Sequence, residues 1–391
     1  MNRRNIAFLL AFWLLCGLPF SVLASTEKDD RYFIRSTSNF WKNTLGVRNM
    51  FSDGFTSDLT DWEIRLTKIF GVEILPVKKF YVLPESAPQA SEEKIEDKSD
   101  FPATQIPWGV ASIYQSLKKP TGGKDIKVAV LDTGVYIEHS DLKSRISGCK
   151  DFTSLKSSII DNFCEDKNGH GTHVAGIISA DGGEDGLGIY GIAPESNLLA
   201  YKVCDDEGLC WADDVASAMK VAVDEGAQII NLSLGGDSSS SLVGEAIKYA
   251  NEKKVLIVAS AGNDGPYDNS IDYPSWDGSI VSVGAIDVAL AVPDWSSRGF
   301  NTKTDLKELN SKDLWFVAPG VNIESTWIDG NYAILSGTSM ASPHIAGLIA
   351  KLWQSDNEEP IDNVISVLKE LLMDVGDPGE DNASGLGFPH L

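Results

Sequence analysis

The sequence predicts an α/β protein: a three-layer α/β/α sandwich on a mostly parallel sheet, preceded by a small α+β domain. Three observations lead there. Short apolar runs alternate with longer amphipathic stretches, residues able to do chemistry fall just past the ends of those runs, and the composition changes near residue 100.

Taken in order, residues 1–24 carry Arg3 and Arg4, the apolar stretch IAFLLAFWLLCGL, then Val22, Leu23 and Ala24 ahead of Ser25. That is the pattern of a secretory signal cleaved after Ala24. Leu15 before Cys16 is too large for lipoprotein cleavage, and no other stretch is long and apolar enough to span a bilayer. Residues 25–100 form the expected small domain and its linker. Charged and aromatic positions alternate up to about residue 83, ending in the strand-like runs GVEIL and KKFYVL, and the stretch 85–100, rich in Pro, Ser, Glu and Lys, reads as an exposed linker.

Residues 101–391 form the large domain. Strands are expected at 126–131, 198–203, 227–234, 255–260 and 280–285, and helices at 170–180, 212–224, 241–251, 338–354 and 361–372. Right-handed connections between these elements build the sandwich. Ligands bind such sheets beyond the carboxyl ends of the strands, where Asp132, Ser233 and Asn263 all fall.

Composition bounds the function. The chain has 391 residues, 43% of them hydrophobic, enough for a large core and a small accessory domain. A net charge of −23 argues against nucleic acid or an anionic membrane as partner. Loss of Cys16 with the signal leaves Cys149, Cys164, Cys204 and Cys210, which predicts two disulfides in an exported chain. Of three connectivities, nearest-neighbour pairing closes two surface loops and is preferred. A thiol nucleophile is disfavoured because no cysteine opens a helix that faces a histidine.

Ser339 lies in GTSMASPHIAGLIAKLW, where a glycine turn becomes an amphipathic helix with Pro343 expected in its first turn. The first N–H groups of a helix lack intrahelical partners and favour an anion. Asp132 ends the buried run KVAVLDTGV, and His170 opens a helix in NGHGTHVAGIISA. Asp, His and Ser so placed can supply orienter, general base and nucleophile. Asn263, in VLIVASAGNDG, adds an amide able to stabilise an oxyanion. Of the other histidines, His173 and His344 fall inside apolar helices and suit packing with a backbone hydrogen bond. A zinc site on His170 and His173 has the wrong spacing and no glutamate, and the single DTG at Asp132 lacks the second carboxylate motif of an aspartic protease.

These runs, in this order, resemble the signature segments of the subtilisin-like serine proteases, the subtilases, over about residues 104–391. The resemblance implies a subtilisin-like sandwich and a secreted endopeptidase acting through an acyl-enzyme on Ser339, with His170 as base, Asp132 as its orienter, and Asn263 with the Ser339 N–H as oxyanion donors. It implies that Ser233, Leu234 and Gly235 line one side of a peptide cleft, and that Ser260, Ala261 and Gly262 line the pocket for the residue before the scissile bond. Asp272 aligns near the floor of that pocket, which would favour a basic side chain. The front domain takes the place of a prodomain that assists folding, inhibits the enzyme and is cut away by it, between about Glu92 and Ala103. Structural calcium is implied as cofactor, held by Asp141 and Asp185, by the Leu187 and Ile189 carbonyls, and by Gln105. Peptide or protein substrates are the expected partners. Two alternatives remain: a silent relative used for binding, and a ligase or esterase, which would share the acyl-enzyme and differ only in where it goes.

Overall fold

The computed structural model describes residues 31–82, 102–154, 158–300 and 312–391. The expected signal, the linker and nearly all of the expected cut region lie outside the described residues. The chain divides into two compact units, one of residues up to 47 with 52–76, the other of 48–51 with 77–391.

In the smaller unit, β1 (Arg31–Ile34), α1 (Asn39–Leu45), β2 (Phe55–Asp58), α2 (Asp61–Ile69) and β3 (Ile74–Pro76) form an antiparallel sheet in the order β2-β1-β3 with two helices. Its core is Ile34, Trp41, Leu45, Phe55 and Leu59. Helix α2 opens on a capping box: Thr60 accepts from the Glu63 N–H, and the Glu63 carboxylate accepts from the Thr60 N–H.

The larger unit begins with β4 (Lys79–Val82) and α3 (Trp108–Tyr114) and then alternates strands and helices. These are β5 (Lys127–Asp132), β6 (Ile146–Asp151), β7 (Ile160–Asp161), α4 (His170–Ser179), β8 (Asn197–Lys202), β9 (Leu209–Trp211), α5 (Ala212–Asp224), β10 (Ile229–Leu232), β11 (Leu234–Gly235), α6 (Ser241–Glu252), β12 (Leu256–Ser260), β13 (Val281–Ile286) and β14 (Phe316–Pro319). After β15 (Ile323–Thr326) and β16 (Tyr332–Leu335) come α7 (Thr338–Leu352) and α8 (Pro360–Glu370). The main sheet has eight strands in the order β14-β13-β12-β10-β5-β8-β6-β7, every pair parallel except β6 with β7. Helices α4 and α7 pack together on the sheet and α5 and α6 form a second packed pair, which gives the three layers.

All five expected strands and five expected helices are present, with ends shifted by a few residues. Strands β6 and β14 were not foreseen, because ISGCKD has no apolar run and FVAP ends in proline. The expected strand 227–234 is the main correction. It stops at Leu232, and after Ser233 the chain joins a different, three-stranded antiparallel sheet in the order β11-β4-β9. Disulfides join Cys149 to Cys164 and Cys204 to Cys210, the nearest-neighbour pairing.

Candidate active site

Asp132 is the last residue of β5, which is hydrogen-bonded on both sides, to β10 and to β8. Its position is therefore set by the sheet. The Oδ1 atom accepts from the Thr133 N–H at 2.7 Å and meets His170 Nδ1 at 2.8 Å, with both side chains buried. His170 opens α4, and the two glycines around it explain the close approach. A Cβ on Gly171 would fall 2.1 Å from the Gly134 carbonyl and 3.0 Å from the Asp132 Cβ. One on Gly169, at φ 104°, would strike the Trp327 ring.

Asp166, which the sequence reading missed, ties the two segments together. Its Oδ1 accepts from Thr133 Oγ1 and from the Asn168 and Gly169 N–H groups, and its Oδ2 from the Thr172 N–H and Oγ1. A carboxylate that satisfies free donors at a helix start is a cap. An aspartate four residues ahead of the predicted helix start was the available signal.

Ser339 is the second residue of α7. Pro343 is its sixth, so it lies past the first turn, which corrects the expected placement. The physical consequence is local: Pro343 has no N–H to give to the carbonyl of residue 339, and that carbonyl accepts from Ser233 Oγ at 2.9 Å instead. Ser339 Oγ donates to the Ser233 carbonyl at 3.3 Å, and Ser233 Oγ also meets Ser342 Oγ and accepts from Asn231 Nδ2. The break in the strand at Ser233 is thus filled by contacts to the Ser339 helix.

Asn263 lies three residues past β12, where its Oδ1 accepts from the Thr338 N–H at 3.1 Å and from Thr338 Oγ1 at 3.0 Å. These bonds fix the amide, and they turn its other end toward the space over Gly337. A Cβ there would be 3.4 Å from Asn263 Nδ2 and 3.8 Å from the Ser339 nitrogen. Two N–H donors therefore flank one gap beside the serine.

The residues expected to line a cleft fall in two segments, and each would be one wall of it. Leu234 and Gly235 are β11, paired with Val82 and Tyr81 of β4, and β4 pairs on its other edge with β9. The Val82 N–H donates to the Gly208 carbonyl at 2.9 Å. On the second wall, Ser260 ends β12, the Ala261 carbonyl accepts from the Asp272 N–H, and the Gly262 N–H donates to Thr338 Oγ1.

Some of the expected calcium ligands come together. Asp141 is buried, with Oδ2 accepting from the Ile189 N–H and from Tyr332 OH, both at 2.8 Å. A Cβ on Gly183 would sit 3.0 Å from Asp141 Oδ1 and 3.6 Å from Asp185 Oδ1, so both carboxylates face one gap. Gln105 reaches the same loop through its side-chain amide, which donates to the Gly186 carbonyl. The Ile189 carbonyl accepts from the Gly182 N–H and keeps one lone pair, while Leu187 donates its N–H to Asp185 Oδ1. An oxygen-rich gap between two carboxylates and loop carbonyls suits calcium.

His173 and His344 are structural. Burial pushes His173 down to about 3, and its Nε2 lies 2.9 and 3.1 Å from the carbonyls of Ile323 and Ala333. His344, pushed down to about 4 by burial, holds the Met340 carbonyl through Nδ1.

The Subtilase family profile matches residues 123–387. A protein described as subtilisin from Bacillus sp. strain TA39 is 37% identical across 93% of this chain and 92% of its own length. The major intracellular serine protease of Bacillus subtilis strain 168 is 37% identical across 71% of this chain and 83% of its own. Among solved structures, Sphericase superposes with a TM-score of 0.71 and 42% identity, over 74% of this chain and 99% of the other. The chain belongs to the subtilase family of serine proteases, and it is a hydrolase of peptide or protein substrates.

Proposed function

We propose that the chain is a secreted endopeptidase made as a precursor, with Ser339 as nucleophile, His170 as general base, Asp132 as orienter, and Asn263 with the Ser339 N–H as oxyanion donors. One observation carries the assignment: the buried 2.8 Å contact between Asp132 and His170, on a helix packed against the one that carries Ser339, whose start and neighbouring amide flank a common gap. Asp132 Oδ1 holds the proton on His170 Nδ1, which leaves Nε2 as the base. On substrate binding the Ser339 hydroxyl exchanges its 3.3 Å bond to Ser233 for His170. Nε2 takes its proton, and Oγ attacks the scissile carbonyl carbon. The negative oxygen lies between Asn263 Nδ2 and the Ser339 nitrogen. Collapse breaks the C–N bond, with His170 giving the proton to the leaving amine. Water, deprotonated by the same Nε2, then cleaves the ester and restores the serine.

The walls at 233–235 and 260–262 form the proposed peptide cleft. Strand β4 supports both the cleft and the prodomain reading, since a segment from before residue 100 lies as an antiparallel strand between β9 and β11, where an extended substrate would lie. Calcium at Asp141, Asp185, Gln105 and the Leu187 and Ile189 carbonyls would pin the loop after α4. A chelator is expected to lower the thermal midpoint of the wild type and to leave that of Asp185→Ala unchanged. The apolar stretch before Ala24 supports export.

The deciding experiment expresses the precursor beside its Ser339→Ala form. Self-cleavage in the first and an intact chain in the second support nucleophile and prodomain together. Equal cleavage of both, or of neither, would overturn self-processing by Ser339.

A further inference from the structure

Asp237, Asp264 and Asp272 bring carboxylate oxygens to within 4.8 Å of one another, the one such acidic group among the described residues. Asp237 and Asp264 are exposed, and Asp272 is 5% exposed. Among the described residues no hydrogen bond reaches the Asp272 carboxylate, although its own N–H donates to the Ala261 carbonyl. A buried carboxylate without a donor is costly unless a cation reaches it.

Its placement shows where such a cation would enter. The segment at Asp272 and Tyr273 joins the two walls of the cleft: Asp272 bonds to Ala261 on one, and Tyr273 exchanges both backbone bonds with Gly236 on the other. The carboxylate then lies against a bare glycine from each wall. A Cβ on Gly262 would fall 2.7 Å from Asp272 Oδ2, and one on Gly235 would fall 3.3 Å from the same atom. Gly262 directly precedes Asn263, so the acid stands one residue away from the amide that flanks the gap beside the Ser339 nitrogen. The charges acting on it, Asp264 and Asp237, are both negative and sit toward the solvent side.

Resting on the cleft reading above, we propose that this pocket selects a basic residue, lysine or arginine, immediately before the scissile bond, its cation held by Asp272 and drawn in by Asp237 and Asp264. The two exposed carboxylates steer the long side chain, and the buried one pairs with its end. The glycines at 235 and 262 leave room for the Asp272 side chain itself, which a Cβ at either position would strike.

The test uses the matured enzyme and two peptides that differ only at that position, lysine against the uncharged norleucine. The ratio of their kcat/KM values is expected to favour lysine by about 30-fold or more, to fall by about that factor in Asp272→Asn, and to fall by about two- to fivefold in each of Asp237→Asn and Asp264→Asn, whose exposed positions spare folding. Binding of the fluorescent cation p-aminobenzamidine reads the pocket without the serine's chemistry, and Asp272→Asn should abolish it. A ratio near one, or one that no aspartate variant moves, overturns the proposal. So does displacement of p-aminobenzamidine by micromolar Ca²⁺, which would make the cluster a metal site. Failure of the Ser339 assignment shows separately, as absence of fluorophosphonate labelling at Ser339 with cation binding intact.

Discussion

Asp132 and Asp272 are the same residue type, buried to within a few per cent of each other, and both stand beside the proposed cleft. Their surroundings differ. Asp132 ends a central strand and meets one N–H and one imidazole nitrogen at 2.7 and 2.8 Å. Asp272 has no donor and two acidic neighbours, and burial first, then Asp264 and Asp237, push its carboxyl up to about 7. Donors, more than depth, decide whether a sequestered acid works as a fixed charge or waits for one from outside.

The contrast breaks most sharply in kinetics. Asp132→Asn should lower kcat by about 10⁴-fold, the loss that follows when the orienting carboxylate of a Ser-His-Asp triad becomes an amide and the imidazole takes the wrong tautomer. It should lower hydrolysis of lysine and norleucine substrates alike, whereas Asp272→Asn changes their ratio. Parallel assays of both variants would dissolve the distinction if both shifted the ratio. Next in size, Asn263→Ala is expected to cost about 10²- to 10³-fold in kcat with KM little altered, as for loss of one oxyanion donor. A change confined to KM would remove Asn263 from that role.

The pH dependence sharpens the comparison further. Asp272 is neutral below about pH 7 and ionised above it, with Asp237 and Asp264 the charged groups facing it. The lysine-to-norleucine ratio should therefore rise about tenfold between pH 6 and 8, since the ionised fraction of such a group changes by that much. Taking a ratio cancels the titration of His170, common to both substrates. A flat ratio would argue that the acid is ionised throughout.

The smallest effect is on stability. An aspartate whose folded pKa is raised keeps its proton in the native state at pH values where the unfolded chain has lost it, so the native state weakens as pH rises from about 4 toward 7. Asp272→Asn removes that penalty and should stabilise the protein by about 1–3 kcal/mol at pH 8, but not at pH 4. Thermal melts at the two pH values check the sign.

Much of this was legible in the sequence because it is local. The apolar runs that became β5, β8 and β12 announce themselves by length, and Asp132, His170 and Ser339 stand at element ends. What escaped depends on distant partners. Ser233 looked like the continuation of a strand, and only the Ser339 carbonyl left without a donor by Pro343 explains the break there. KKFYVL has the pattern of a strand, yet nothing in it names β9 and β11 as its neighbours. Asp264 and Asp272 share the connection between β12 and β13 and Asp237 follows β11, so only the fold brings the third carboxylate to the other two.

Strand β4 has a consequence for control. On the proposed prodomain reading, β4 held in the same polypeptide would compete with incoming peptides at a local concentration of order millimolar, whatever the enzyme's dilution. Cutting the tether leaves every hydrogen bond of the ladder intact and removes only that proximity. Inhibition would then vary with dilution, so the first severed molecules would be released where the protein is scarce and stay self-blocked where it is crowded.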